Sequence, residues 1–404
     1  MRREPAILSI VVIVFALIVE GFDLQAANLA GPAIVSAFGV TPAQLGPVLS
    51  ASLAGVLLGA IVIGPLGDRL GRRRIIISSC IAYGVISIAT VFAQSIWHLI
   101  VLRFLVGVGL GGMLPNALAL AGQIAGPKYR ATATGLVGIG ITFGGVVAGI
   151  SAARLMPAHG WQVMFLIGGV LPLVVAAVVR LTLPAGLPDA GELAAVVESR
   201  GVRGLLSPAL RSQTFAIWAI FALCLMSVYL LNAWIPLVTR AANFSLEQSA
   251  WLTTAYHAGG TLGGVAASLL LAWNRWKTAG AFALAAALVL CLTGVTAWPT
   301  FGLTLLIVAA GFTVTGTQNA INGAAGSAYP EAMRSAGLGW ALGIGRIGSI
   351  IGPLVGAAVS SAGYFAPHQF FLIPVLPMAV GALLALWLSR RHPQAFDKDQ
   401  QDVR

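Results

Sequence analysis

The sequence predicts an all-α integral membrane protein, with twelve transmembrane helices in two six-helix halves, and three observations carry that prediction. The 404 residues are 58% hydrophobic and only 9% charged, whereas roughly a quarter of a soluble domain is charged. The apolar residues gather into runs of about 20, the length that crosses a bilayer. The basic residues behind the formal net charge of +11 lie between those runs rather than on one face. The charge therefore reports topology in a lipid bilayer and not a nucleic-acid partner.

Measured by that length, six spans fall at 7–29, 46–66, 75–94, 97–121, 131–153 and 162–183. Six more fall at 213–238, 248–273, 278–297, 300–324, 336–360 and 368–389. The longest polar stretch between spans, 184–212, divides the chain into an N-terminal half (1–183), a cytoplasmic linker, and a C-terminal half with a short tail (213–404). Asp189 to Arg200 within that linker reads either as a short amphipathic helix under the membrane or as a plain tether. The chain starts Met1-Arg2-Arg3-Glu4-Pro5, but the apolar run that follows carries Glu20 and Asp23 and meets no clean cleavage site, so a retained first span is expected.

Orientation follows from the basic residues, because loops rich in Lys and Arg stay in the cytoplasm. With the N-terminus inside, 19 of the 23 basic residues fall on the cytoplasmic side. Arg154 and Arg240 fall outside, and Arg103 and Arg346 fall within spans. The expected location is the bacterial inner membrane, crossed many times, with both termini cytoplasmic. The halves also echo each other at an offset of about 204 residues: Pro127-x-x-Arg130 with Pro330-x-x-x-Arg334, and Asp68-Arg69 with Asn274-Arg275. Internal repeats of this kind are a mark of transporter halves. Cys80, Cys224 and Cys291 lie far apart inside apolar runs, without disulfide or metal spacing. No nucleophile triad, metal cluster or phosphate-binding loop appears, so neither an enzyme nor a cofactor is expected.

Charges inside a bilayer cost at least about 2.5–3.5 kcal/mol each and are rarely kept without a use. Four stand in the spans: Glu20, Asp23, Arg103 and Arg346. Glu20 and Asp23 are spaced i, i+3 and share one helix face, where two carboxylates out of water can hold a proton. Either acid can instead form a fixed ion pair with Arg103. Arg346 sits among Gly343, Gly345 and Gly348. Its guanidinium suits the two-pronged grip of an anionic substrate, or it serves as counter-ion to the span 1 acids.

The loop after span 2, Gly64-x-x-Gly67-Asp68-Arg69-Leu70-Gly71-Arg72-Arg73, resembles the signature loop of the major facilitator superfamily. Further stretches resemble one branch, the aromatic acid:proton symporters. These are Glu20-Gly21-Phe22-Asp23, Arg103-Phe104-Leu105 running to Pro115-Asn116, Gly160-Trp161 with Gly168-Gly169, and Tyr329-Pro330 running to Gly348 and Gly352-Pro353. The resemblance implies proton-coupled import of a small aromatic carboxylate by a monomeric unit. It gives Glu20, Asp23 and Arg103 the proton coupling, and Gly67, Asp68, Arg69, Gly71, Arg72 and Arg73 the gating. Two departures stand out: Glu20 where the family usually has Asp, and Trp273-Asn274-Arg275-Trp276 where the second loop often carries an acid.

An aromatic carboxylate would meet Arg346 and the hydrogen-bonding groups of Asn232, Gln318, Asn319 and Asn322, unless these bond between helices. Trp234 and Tyr256 can stack on its ring, as can Trp340, or anchor at the membrane interface. His257 is either a second titrating group or a packing residue. Two rivals remain. Drug efflux on the same fold usually brings a Gly-Pro motif in span 5, which here reads Gly138 to Gly145 without Pro. A non-transporting receptor would need more than the tail from His392 to Arg404 for signalling.

Overall fold

The computed structural model describes residues 3–183, 204–271, 274–325, 328–330, 333–363 and 366–391. The stretch from Asp189 to Arg200 lies outside the described residues, as does Trp273. The first half comprises α1 (Arg3–Phe38), α2 (Leu45–Val62), α3 (Leu66–Leu70), α4 (Arg72–Thr90), α5 (Ile96–Gly111), α6 (Met113–His159) and α7 (Gln162–Thr182). The second comprises α8 (Arg211–Ala241), α9 (Leu246–Leu270), α10 (Arg275–Val295), α11 (Thr300–Ala325), α12 (Arg334–Ala362) and α13 (Val375–Arg391).

Among the described residues these thirteen α-helices give twelve crossings. The short α3 does not cross, and α6 contains both the end of span 4 and all of span 5. The chain turns between them at Gly126, whose φ of 71° and ψ of 175° lie in a region open to glycine because it has no Cβ. Eleven crossings are long and apolar enough to span a membrane by themselves. The twelfth, α9, is long enough but less apolar, being rich in Gly, Ser and Thr and carrying His257. Span 1 runs to Phe38, beyond the expected end at 29, because the helix continues through Pro32. Neighbouring helices and hydroxyls make such a proline tolerable in a membrane, and the Ser36 hydroxyl donates to the Pro32 carbonyl at 3.2 Å.

The internal repeat is realised as packing. In the first half α1 packs on the second part of α6, α2 on α5, and α4 on α7; in the second half α8 packs on α12, α9 on α11, and α10 on α13. Small residues set these distances, since side chains would keep the backbones apart. A Cβ at Gly55 or Gly59 of α2 would strike the backbone carbonyls of Phe104 or Val108 on α5. In the second half, a Cβ at Gly259 or Gly263 of α9 would strike those of Val308 or Phe312 on α11.

The halves touch mainly toward the end where α1 finishes. There Gly31 packs on Leu237, Gly46 on Ala357 and Gly149 on Thr254. The Ser50 hydroxyl donates to the Ile350 carbonyl at 2.8 Å, and the Arg154 guanidinium lies 5.7 Å from the Trp251 ring centroid. Toward the other end, where the chain starts, Gly135, Gly138, Gly339 and Gly343 have open space where a Cβ would point.

Candidate functional site: a charged centre between the halves

Of the four charges carried by the spans, Asp23 and Arg346 both act on Glu20, but the four do not pair as one set. Asp23 (0% exposed) and Arg103 (1%) form a buried ion pair, Nη1 to Oδ2 at 3.2 Å. The Ser87 hydroxyl on α4 donates to Asp23 Oδ1 at 2.8 Å, and Arg103 Nη2 donates to Ser87 Oγ at 3.4 Å. The Arg103 guanidinium also lies 4.7 Å from the Phe165 ring centroid. Four helices build this cluster, and Gly168 lets α7 close on it, because a Cβ there would sit 2.9 Å from Asp23 Oδ1. Both charges are thus paired and hydrogen-bonded, as burial requires, with only Arg103 Nε left without a partner among the described residues.

Glu20, one turn earlier on α1, is equally buried at 3% exposure, yet its Oε2 has no hydrogen-bond partner among the described residues. The cation acting on it is Arg346 of α12, from the opposite half. Arg346 is half-buried; its Nη1 donates to the Tyr229 hydroxyl at 3.5 Å, a weak bond. Among the described residues only Arg72 with Asp68 and Arg103 with Asp23 form ion pairs, so Arg346 has no carboxylate within 4.0 Å.

The neutral candidates divide by position. His257 is buried against Gly145 of α6, whose added Cβ would lie 2.7 Å from the ring, and its Nε2 has no partner among the described residues. Tyr256 is buried beside it, edge-on at 5.5 Å. Asn232 is buried with its Oδ1 unpartnered. Trp234 lies toward the far end, where its Nε1 donates to the Pro353 carbonyl at 3.1 Å and its ring stacks on Phe370 at 5.2 Å. On α11, Gln318 donates to Asn322 at 3.1 Å and Asn319 to the Thr315 carbonyl at 3.0 Å, so these side chains bond within their own helix.

The loop from Gly67 to Arg73 bonds within its own half. Arg72 pairs with Asp68 at 2.9 Å, and Arg73 donates to the Arg180 carbonyl at the end of α7. Gly67 is buried against Asn116, which holds the Gly64 and Gly112 carbonyls at 3.2 and 2.7 Å. Gly71 turns the chain between α3 and α4 with φ of 90°, and the exposed Arg69 lies in the last turn of α3. At the matching place in the second half, Asn274 caps α10 by accepting from the Lys277 amide at 2.9 Å.

Gln25, Asn28, Ser52, Ser87 and Tyr229 also border this centre, and no sequence signal sets them apart.

A sequence model of the Major Facilitator Superfamily matches residues 13–324 of this chain. The chain belongs to the major facilitator superfamily. This membership makes it a membrane transporter. The 4-hydroxybenzoate transporter PcaK of Pseudomonas aeruginosa is 31% identical over 93% of this superfamily member and 91% of its own length. The gallate transporter of Pseudomonas putida is also 31% identical, over 93% and 90%. The 3-(3-hydroxy-phenyl)propionate transporter of Escherichia coli is 34% identical, over 86% and 85%. Two solved structures share the fold. A D-xylose-proton symporter superposes with a TM-score of 0.77 at 14% identity, over 95% of this chain and 97% of its own. A bacterial homologue of the human lysosomal transporter Spinster, inward-facing and occupied, gives 0.74 at 19%, over 94% and 96%.

Proposed function

We propose that this protein imports a small aromatic carboxylate together with protons, by alternating access, across the bacterial inner membrane, and that it works as a monomer with both termini cytoplasmic. In that orientation the far end faces outside, and the described arrangement, touching outside and open inside, is the inward-facing state. Residues 1–183 and 213–404 move as the two bodies and 184–212 links them. The relatives that carry hydroxybenzoate, gallate and hydroxyphenylpropionate support an aromatic acid as the cargo.

Two observations support the mechanism. Among the described residues Arg346 has no carboxylate within ion-pair distance, and the buried Glu20 of the other half, on which its charge acts, has an oxygen without a partner. Glu20 and a substrate carboxylate therefore compete for one guanidinium. A proton on Glu20 leaves Arg346 uncompensated and ready for the anion, so the proton binds first and the anion second. With both charges neutralised the halves can rock over the cargo. On the inner side the anion leaves, Glu20 loses its proton, and the two pair electrostatically once more. Asp23 stays bound to Arg103 and Ser87 and keeps α1, α4, α5 and α7 together. The Asp68 loop, free of the other half in the inward-facing state, is the gate that engages it in the outward-facing state.

Purified protein in vesicles with an imposed inward proton gradient tests this. Radiolabelled 4-hydroxybenzoate or protocatechuate should accumulate above its equilibrium level. Accumulation that ignores the gradient, or persists undiminished in Glu20→Gln, overturns the proposal.

A further inference from the structure

Beside the charged centre, Leu24, Asn28, Leu49, Ser52, Arg103, Tyr229 and Pro353 are among the residues that border a cavity of about 10 Å³ between the halves, room for a single water-sized group; Arg103, already paired with Asp23, keeps a buried Nε without a partner among the described residues. The Ser52 hydroxyl is buried and has no hydrogen-bond partner among the described residues. Helical hydroxyls such as those of Ser36, Thr239, Thr253 and Thr317 donate to the carbonyl one turn back, whereas Ser52, like the buried Ser79 and Ser249, has no partner among the described residues. Asn28 spends its amide on the Gln25 side chain at 2.7 Å and the Leu24 carbonyl at 3.4 Å, which leaves its carbonyl oxygen as an acceptor. A donor and an acceptor thus belong to residues that line the same small space. The Tyr229 wall of that space also receives the Arg346 guanidinium, so the cavity adjoins the proposed anion anchor.

We infer that Ser52 and the Asn28 carbonyl form a subsite that reads a ring hydroxyl, so that the protein selects hydroxylated aromatic carboxylates over unsubstituted ones and excludes a methoxy group by size. The inference rests on the proposed import of an aromatic carboxylate. The hydroxyl accepts from Ser52 and donates to Asn28. A substrate without it leaves two buried polar groups unpaired, the situation in which binding sites discriminate most strongly.

The test compares initial uptake of benzoate, 3-hydroxybenzoate, 4-hydroxybenzoate and 4-methoxybenzoate into one vesicle preparation, for the wild type, Ser52→Ala and Asn28→Ala. In the wild type the better hydroxybenzoate should exceed benzoate by about tenfold, as expected when a net hydrogen bond is gained, and 4-methoxybenzoate should lag behind it. In Ser52→Ala the hydroxybenzoate-to-benzoate ratio should fall by about fivefold or more. Should that variant fail to insert, the same fall in Asn28→Ala carries the test. A ratio unchanged in both variants, or methoxybenzoate carried as well as the hydroxy acid, overturns the subsite. Wild-type protein that carries benzoate as fast as hydroxybenzoate overturns the subsite and leaves aromatic-acid import standing. Wild-type protein that carries none of the four removes the import proposal, and the subsite with it.

Discussion

The two halves share a packing plan and differ in what they bury. The N-terminal half encloses a complete ion pair, Asp23 with Arg103, tied off by Ser87. The C-terminal half buries neutral polar groups, His257, Tyr256 and Asn232, and holds its one intramembrane charge, Arg346, half-buried at the gap. A charge satisfied within its own half is locked in place whatever the other half does. A charge left without a partner responds to what arrives from outside. The same six-helix plan thus supplies one half with a rigid centre and the other with a receptive one.

Breaking the rigid centre should have the largest effect. Asp23→Asn leaves Arg103 buried and unpaired, which costs about 3–5 kcal/mol and should lower the melting temperature in detergent along with uptake. Exchanging Arg103 as well, in Asp23→Asn/Arg103→Gln, should recover part of the stability and none of the uptake. In the receptive half, Arg346→Gln should change the melting temperature little, yet weaken substrate binding by about 10- to 100-fold, the worth of a hydrogen bond to a charged group. Arg346→Lys should recover only part of this, because an ammonium keeps the charge and loses the fork.

Glu20→Gln sharpens the comparison further, since it removes the buried carboxylate that has no partner in its own half. The variant should fold as well as the parent and still exchange labelled for unlabelled substrate. It should lose accumulation driven by the proton gradient, and lose the parent's rise in uptake as the outer medium is acidified. The smallest effects belong to the matched loops. Asn274→Ala removes a helix cap and should cost about 1 kcal/mol. Asp68→Asn removes an exposed pair, worth no more than about 1 kcal/mol, and should slow turnover more than it lowers stability.

What was legible in the sequence was whatever depends on composition or on neighbours along the chain. The crossings show as long apolar runs, and the loop at Gly67 to Arg73 as an ordered motif. The four charges in the spans are conspicuous because lipid penalises them. The partnerships were not legible. Asp23 could have paired with Arg103 or shared a proton with Glu20, and only the convergence of four helices, 80 residues apart in the chain for that pair, separates the two acids. Ser52 and Ser87 were invisible for another reason. A serine in an apolar helix ordinarily bonds back to its own backbone, so its presence says nothing until its partners are seen. Span 1 was read too short because about 20 apolar residues suffice to cross a bilayer, whereas the packed helix runs on through Pro32 to Phe38.

The low hydropathy of α9 bears on how the chain enters the membrane in the first place. Its glycines at 259, 260, 263 and 264 face α11, and Thr254 and His257 face α6, so much of what makes this crossing favourable is contributed by other helices. An isolated α9 has little reason to leave water for lipid. Its neighbours α8 and α10 are apolar enough to cross alone, so within the second half α9 is the crossing whose place in the bilayer depends on its partners.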